Sequence, residues 1–129
     1  METNGSRVLL AEDDRFLRRA AEVELRKHGY VVLAAADGEE ALKIATEQIP
    51  DIILLDLIMP KMQGFEVLRI LKQQESTAKI PVVIMSNLGQ EQDVQQAMAD
   101  GAMAYLIKSD LSLKDLSRNV EQALKGNLA

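Results

Sequence analysis

The sequence predicts an α/β protein built on one doubly wound, parallel sheet of five strands. Short apolar runs recur five times along the 129 residues, and each run is followed by a segment with helical spacing. Glycines and capping residues fall between these segments. Strands that alternate with helices form parallel sheets with helices on both faces and right-handed crossovers. Five strands are too few for an eight-stranded barrel, so an open sheet is expected.

The five apolar runs have the Val-, Ile- and Leu-rich composition of strands that are buried on both faces. They are Arg7 to Ala11, Tyr30 to Ala35, Asp51 to Leu55, Ile80 to Met85 and Met103 to Ile107. Pro81 falls at the start of the fourth run, where a missing N–H donor is tolerated. Each run is therefore predicted to be a strand of the sheet.

The segments between the runs carry apolar residues at the spacing of one helix face. These stripes are Leu17, Ala21 and Leu25; Ala41, Leu42, Ala45 and Ile49; Phe65, Leu68 and Leu71; Val94, Ala97 and Met98; and Leu113, Leu116, Val120, Ala123 and Leu124. Gly29 and Gly101 occupy positions where a helix ends. Two pairs have capping-box spacing, namely Asp37 with Glu40 and Ser112 with Asp115. The elements together predict a flavodoxin-like (βα)5 fold with strand order 2-1-3-4-5.

The composition excludes several classes of function. Without cysteine the chain has no disulfide or thiolate chemistry, and the single His28 cannot build a multi-histidine metal centre. A net charge of −5 and the absence of tryptophan argue against nucleic-acid binding. No apolar stretch approaches the ~20 residues of a membrane span, and the first residues lack the pattern of a signal peptide. We therefore expect a cytoplasmic protein that binds neither nucleic acid nor membrane.

Polar residues gather at the carboxyl ends of the predicted strands, where open α/β sheets bind their ligands. They are Glu12-Asp13-Asp14 after the first strand, Asp56 after the third, Ser86-Asn87 after the fourth and Lys108-Ser109-Asp110 after the fifth. Carboxylates so close together repel each other unless a positive charge compensates them. Oxygen ligands suit Mg²⁺, while Lys108 adds a fixed cation and Ser86 a hydroxyl. Phosphoryl transfer requires this set of groups.

In these residues the chain resembles the receiver domain of bacterial response regulators, from about Arg7 to Leu124. Four motifs carry the resemblance: Val8 to Asp14, Leu55 to Pro60 with Gly64, Pro81 to Ser86, and Gly101 to Lys108. Each motif alone is weak, but all four in this order and at these spacings are specific. Residues 7–125 are assigned to the receiver domain, and residues 1–6 and 126–129 to short tails.

The resemblance implies a phosphorylation site. Asp56 would take a phosphoryl group from the phosphohistidine of a sensor histidine kinase or a phosphotransfer protein. Glu12, Asp13, Asp56 and the backbone carbonyl of Ile58 would hold Mg²⁺, with Mn²⁺ as an alternative. Lys108 would pair first with Asp56 and then with the phosphoryl oxygens.

The resemblance also implies a switch. Ser86, Asn87, Lys108 and the backbone of Leu57 would contact the phosphoryl group, and Ser86 would move toward it while Tyr105 turns inward. This movement would reshape the face made by the fourth helix, the fifth strand and the fifth helix. We expect that face to contact a downstream protein target or an effector domain. The protein would be a monomer or a phosphorylation-dependent dimer.

Some residues depart from the family pattern. The family usually has Lys-Pro, often with a cis bond, where this chain has Lys108-Ser109. Asp14 is interpreted as a helix cap and not as a metal ligand. Ile58 and Leu88, which flank the phosphoryl group in the family, are both apolar here. Because an apolar cover hinders an attacking water, we expect the phosphoryl group to be lost slowly.

Other functions fit the sequence less well. A haloacid-dehalogenase-type phosphatase needs a second Asp two residues after Asp56, and Ile58 occupies that position. The glycine-rich motifs of nucleotide-binding loops are absent. We expect no enzyme activity beyond the protein's own phosphorylation and dephosphorylation, and a stand-alone, single-domain receiver. The alternative is a receiver-fold interaction module that no longer switches by phosphorylation, which the altered Lys108-Ser109 step leaves open.

Overall fold

Five strands alternate with five α-helices over residues 5–126, the part of the chain that the computed structural model describes. The strands are β1 (Arg7–Ala11), β2 (Val31–Ala35), β3 (Ile52–Leu55), β4 (Val82–Ser86) and β5 (Ala104–Ile107). The helices are α1 (Arg15–Lys27), α2 (Gly38–Gln48), α3 (Gly64–Gln73), α4 (Glu91–Ala99) and α5 (Leu113–Leu124), and a 3-10 turn covers Lys108–Asp110. The predicted alternation is confirmed. Of the predicted tails, residues 1–4 and 127–129 lie outside the described residues.

The strands form one parallel sheet in the order β2-β1-β3-β4-β5, as predicted. The order in which strands are added to the sheet reverses between β1 and β3. A cleft therefore forms outside the carboxyl ends of these two strands. Ala11 is aligned with Leu55 across these two strands. Glu12 and Asp56, which directly follow these two residues, therefore lie next to each other at the carboxyl ends of β1 and β3.

Two apolar clusters cover the two faces of the sheet. Because side chains alternate along a strand, Leu9 and Ile53 belong to one cluster, while Leu10 and Leu54 belong to the other. Helices α2, α3 and α4 contribute to the first cluster, and α1 and α5 contribute to the second. Each fully buried Leu or Ile stabilises the fold by roughly 1.5–3 kcal/mol. The core on both faces holds the strand ends, and thus the cleft between β1 and β3, in fixed positions.

Four apolar residues that were predicted to face the core are exposed instead. Leu17, Ile49, Met98 and Leu113 are 46%, 42%, 41% and 41% exposed. Leu17 and Leu113 lie in the first turns of α1 and α5, and Ile49 caps α2 in a left-handed conformation. All four residues thus lie at or near the end of a helix and not in its central turns.

The predicted capping residues are confirmed. Asp115 N–H donates to Ser112 Oγ at 3.0 Å, and Ser112 N–H donates to Asp115 Oδ2 at 3.3 Å, which completes a capping box at α5. At α2, Glu40 N–H donates to Asp37 Oδ1 at 2.8 Å. The reciprocal bond there goes to Ala36, whose N–H donates to Glu40 Oε1 at 2.8 Å.

Backbone geometry agrees with the other turn predictions. Gly29 and Gly101 have φ angles of 91° and 109°, a region in which side chains other than glycine are strained. The described residues contain no cis peptide bond, so the bond between Lys108 and Ser109 is trans. No helix among residues 5–126 is long and apolar enough to cross a bilayer.

Candidate functional site

An acidic cluster of Glu12, Asp13 and Asp56 lies at the carboxyl ends of β1 and β3. One carboxylate oxygen from each residue lies within 4.8 Å of the others. The backbone holds this arrangement, because Asp56 N–H donates to Ala11 O at 3.1 Å and Glu12 N–H donates to Ala35 O at 3.0 Å. Glu12 and Asp56 are buried and Asp13 is exposed. The cluster therefore opens to solvent on one side only.

Lys108 reaches this acidic cluster from the end of β5. Its ammonium nitrogen lies 2.7 Å from Asp56 Oδ2 and 2.5 Å from Glu12 Oε1. Burial alone would lower the pKa of Lys108, but the hydrogen bonds and charges of Asp56 and Glu12 outweigh burial and raise that pKa. Lys108 is therefore held as a cation between two carboxylates. The predicted pairing of Lys108 with Asp56 is therefore present with a trans peptide bond between Lys108 and Ser109.

The remaining oxygens of the two buried carboxylates accept backbone hydrogen bonds. Ile58 N–H donates to Asp56 Oδ1 at 3.2 Å, and Asp14 N–H donates to Glu12 Oε2 at 3.0 Å. Burial raises the pKa of Glu12, and the Lys108 hydrogen bond opposes that rise. These hydrogen bonds thus fix the orientation of both carboxylate groups before any ligand binds.

Asp14 serves α1 and not the acidic cluster. Its Oδ1 accepts the N–H groups of Phe16 and Leu17 at 2.9 and 3.1 Å, which is the geometry of a helix N-cap. Arg18, which was not predicted to belong to the site, donates from Nη1 to the carbonyl of Glu12 at 2.8 Å. A single Arg six residues after Glu12 carries no recognisable signal in the sequence. The Arg18 side chain stabilises the loop after β1, which carries Glu12 and Asp13.

Ser86, Leu88 and Tyr105 form a hydrogen-bonded group beside the acidic cluster. Leu88 N–H donates to Ser86 Oγ at 3.1 Å, and the Tyr105 hydroxyl donates to the Leu88 carbonyl. Burial raises the pKa of Tyr105, and the nearby Ser86 hydroxyl opposes that rise. Tyr105 is half-buried and packs against the core. These contacts tie the loop after β4 to β5.

Asn87 and the residues after Asp56 complete the edge of the site. Asn87 Oδ1 accepts the Ser109 N–H at 3.0 Å, so the loops after β4 and β5 are joined here as well. Leu57 is buried, and its carbonyl accepts the Gly64 N–H at 2.8 Å. The Ile58 side chain is 56% exposed at the rim.

The donor set of the acidic cluster fits a hard divalent cation. All of its side-chain ligands are carboxylate oxygens, which Mg²⁺ and Mn²⁺ prefer. Two of the three residues are buried and one is exposed, so a bound ion would keep water ligands on its open side. Three carboxylates with one lysine leave a net negative charge that a cation would neutralise. The arrangement can thus bring a cation, a lysine and a buried carboxylate to one phosphoryl group.

A sheet of this order, with an acidic cluster and a lysine at its carboxyl edge, defines a class of signalling domain. Residues 8–121 match the response regulator receiver domain family. The chain belongs to this family, and it is a receiver domain of the type found in two-component response regulators.

Solved structures agree with this assignment. The receiver domain of the Francisella response regulator 1452 has a TM-score of 0.87 and 29% identity, and the match covers 95% of this chain and 98% of that one. Chemotaxis protein CheY4 of Vibrio cholerae has a TM-score of 0.85 and 29% identity, with 92% and 98% covered. Nearly all of the described fold is thus shared with these two domains.

Curated relatives are longer proteins. The DNA-binding dual master transcriptional regulator RpaA of Synechocystis is 40% identical over 102 residues, which are 79% of this chain and 42% of the relative. The gliding motility regulatory protein of Myxococcus xanthus is 36% identical over 116 residues, which are 90% of this chain and 15% of the relative. The chain therefore spans about half of the length of such relatives, or less.

Proposed function

We propose that this receiver domain accepts a phosphoryl group on Asp56 from the phosphohistidine of a sensor histidine kinase or a phosphotransfer protein. The observation that carries the proposal is the position of Asp56. Its carboxylate is buried, 2.7 Å from Lys108, and within reach of two further carboxylates that could share a cation. An oxygen of Asp56 attacks phosphorus, the P–N bond to histidine breaks, and an acyl phosphate forms.

The residues of the site act mainly by position and charge. Glu12, Asp13, Asp56 and the Ile58 carbonyl would hold Mg²⁺ or Mn²⁺, which when bound neutralises charge on the phosphoryl oxygens. Lys108 keeps its positive charge and follows the phosphoryl oxygens once Asp56 has reacted. The hydrogen bond from Ile58 N–H orients the attacking carboxylate.

Phosphorylation would change the loop after β4. The new dianionic group offers strong acceptor oxygens to the Ser86 hydroxyl, to Asn87 and to the Leu57 backbone. Ser86 Oγ now accepts from Leu88 N–H, so a move toward the phosphoryl group would break that bond and free the loop. Tyr105, which holds the Leu88 carbonyl, would repack with it. The face of α4, β5 and α5 would change shape and thereby change its contacts with a partner.

The output of this switch is proposed to be a protein contact. The partner is a downstream target or an effector domain, and the receiver acts as a monomer or a phosphorylation-dependent dimer. Catalysis is limited to its own phosphorylation and dephosphorylation. The rival function is an interaction module that has lost phosphorylation, and the intact contacts of Lys108 with Asp56 and Glu12 favour the switching receiver.

Binding of beryllofluoride, an analogue of the phosphoryl group, tests the proposed site. In ¹⁹F NMR we expect a bound signal that requires both Mg²⁺ and Asp56, and amide shifts along α4, β5 and α5 when it binds. Asp56→Asn should abolish the signal. Failure of the wild-type protein to bind the analogue at saturating Mg²⁺ would favour the non-switching module.

The apolar rim predicts a long-lived phosphoryl group. Ile58 is largely exposed at the edge of the site, and half-buried Leu88 packs against the same apolar cluster as Tyr105. Neither side chain can hydrogen-bond a water in line with the acyl phosphate, so hydrolysis should take minutes or longer. Ile58→Asn should shorten the lifetime measured by phosphate release, whereas Ile58→Val should not. A wild-type lifetime of seconds would contradict this prediction.

A further inference from the structure

A concave crevice opens between α1 and α5, next to the acidic cluster. Its volume is about 180 Å³, and its walls include Leu10, Leu17, Ala21, Met85 and Leu116. Apolar protein cavities of roughly 150 Å³ bind benzene. The crevice therefore has room for one six-membered ring against mainly aliphatic walls.

Two exposed leucines stand at the rim of this crevice. Leu17 on α1 and Leu113 on α5 both line it, and they are 46% and 41% exposed. The regular apolar stripes of both helices continue to these positions, which lie in the first turns of α1 and α5. A molecule in the crevice would remove this apolar surface from water, which is favourable by roughly 25 cal/mol per Å².

The cation at the mouth is already paired within the protein. Lys108 and Glu12 both line the crevice, and Lys108 pairs with Glu12 at 2.5 Å and with Asp56 at 2.7 Å, so no free cation is left to attract an anionic ligand. Asn87 uses its side-chain oxygen to accept the Ser109 N–H, which leaves its amide nitrogen to donate to a ligand. The mouth thus offers a hydrogen-bond donor but no unpaired cation, beside an apolar interior.

We propose that this crevice binds a small neutral aromatic molecule with one hydrogen-bonding oxygen, and that its occupancy is coupled to the acidic cluster. The coupling follows from two shared side chains, because Lys108 and Glu12 line the crevice and also form the cluster. A cation held by Glu12 would compete with Lys108 for that carboxylate and would thereby alter the mouth. By linkage, a ligand in the crevice changes cation affinity by the same factor. The coupling rests on the proposed function, whereas the binding does not.

Phenol is the probe, and the methyl group of Met85 is the reporter. In the metal-free protein with ¹³C-methyl methionine, we expect the Met85 signal to shift and saturate, with a dissociation constant on the order of 1 mM. The signals of Met59 and Met98, which do not line the crevice, should stay in place. Shifts of all methionines alike, without saturation, would overturn the proposal.

Two variants locate the binding site. Ala21→Leu fills the crevice from α1 and should weaken phenol binding about tenfold or more. Leu17→Ala, at an exposed rim position that tolerates change, should weaken it several-fold. Val23→Leu, an exposed position on the same helix outside the crevice, is the matched control and should bind as the wild type does. Unchanged binding in both crevice variants would overturn the assignment.

Coupling is measured by repeating the titration in saturating Mg²⁺. We expect the dissociation constant of phenol to change about fivefold or more, and phenol to change Mg²⁺ affinity by the same factor. Equal phenol affinities with and without bound Mg²⁺ would overturn the coupling. Amide shifts of Asp13 report Mg²⁺ binding independently, so failure of the metal site is distinguished from failure of the crevice.

Discussion

Lys108 is the positive charge that compensates the two buried carboxylates of the site. It is 16% exposed and touches two buried carboxylates, whereas most lysines of a surface pair are solvated. Removing one partner of a buried ion pair leaves the other charge uncompensated in a low dielectric. Glu12 and Asp56 would then repel each other without a cation between them.

Lys108→Ala should therefore destabilise the metal-free protein by about 3 kcal/mol, at the low end for a broken buried pair. Added Mg²⁺ should restore part of this loss, because it can neutralise the same carboxylates. Urea unfolding with and without Mg²⁺ measures both effects. Lys61→Ala is the control, since Lys61 is exposed and 3.6 Å from Asp37, and it should cost less than ~0.5 kcal/mol. Equal losses in the two variants would contradict this account.

The sequence predicted the residues of the acidic cluster but not all of their contacts. Glu12 and Asp56 could be predicted because each directly follows a strand, and the strand order brings those ends together. The Arg18 contact with the Glu12 carbonyl and the Tyr105 contact with the Leu88 carbonyl could not. Both depend on loop conformation and side-chain rotamers, which no periodicity encodes.

At the scale of elements, the loop after β3 packs against the start of α2 through Gly38. A Cβ on Gly38 would lie 1.7 Å from the Met62 carbonyl oxygen, which belongs to the backbone and cannot simply rotate away. Gly38 N–H also donates to the Pro60 carbonyl at 3.3 Å. This contact joins α2 to the loop that follows β3.

Gly38→Ala should destabilise the protein by about 2 kcal/mol, the usual range for overpacking. Gly89→Ala is the matched control, because its Cβ would meet only Ile107 Cδ1, at an ordinary distance of 3.5 Å. We expect that variant to stay within ~0.5 kcal/mol of the wild type. Thermal unfolding of the two variants compares them directly, and a neutral Gly38→Ala would contradict the close approach.

The type and order of the elements could be predicted, but their ends could not. Apolar runs and helical stripes reflect burial against the sheet, so they locate the central turns reliably. Leu17 and Leu113 continue those stripes into the first turns of α1 and α5, where the apolar pattern persists although both side chains are exposed. Gly38 was not predicted to matter, because the backbone that approaches it belongs to a loop distant in the sequence.

At the scale of the whole molecule, the burial of Tyr30 makes the free energy of unfolding depend on pH in the alkaline range. Tyr30 lies in the cluster beneath α1 and α5, and burial, reinforced by the charge of Glu121, raises its pKa. The unfolded chain loses the tyrosine proton near pH 10, before the folded protein does. The stability that Tyr30 contributes is therefore present below about pH 10 and lost as the pH rises further.

The stability difference between the wild type and Tyr30→Phe should fall above about pH 10 and stay constant below it. Urea unfolding of both proteins at a series of pH values gives this difference, from which the contributions of other groups cancel. A difference that rises or stays flat through this window would contradict the buried position of the hydroxyl.

The central claim is that Asp56 is phosphorylated in a cation-dependent reaction, and intact-protein mass after incubation with acetyl phosphate tests it most directly. We expect one added phosphoryl group with Mg²⁺, none with EDTA, and none in Asp56→Asn. Asp110→Asn, which removes an exposed carboxylate two residues after Lys108, should be modified as the wild type is. No adduct in the wild type with Mg²⁺, or an equal adduct in Asp56→Asn, would contradict the account.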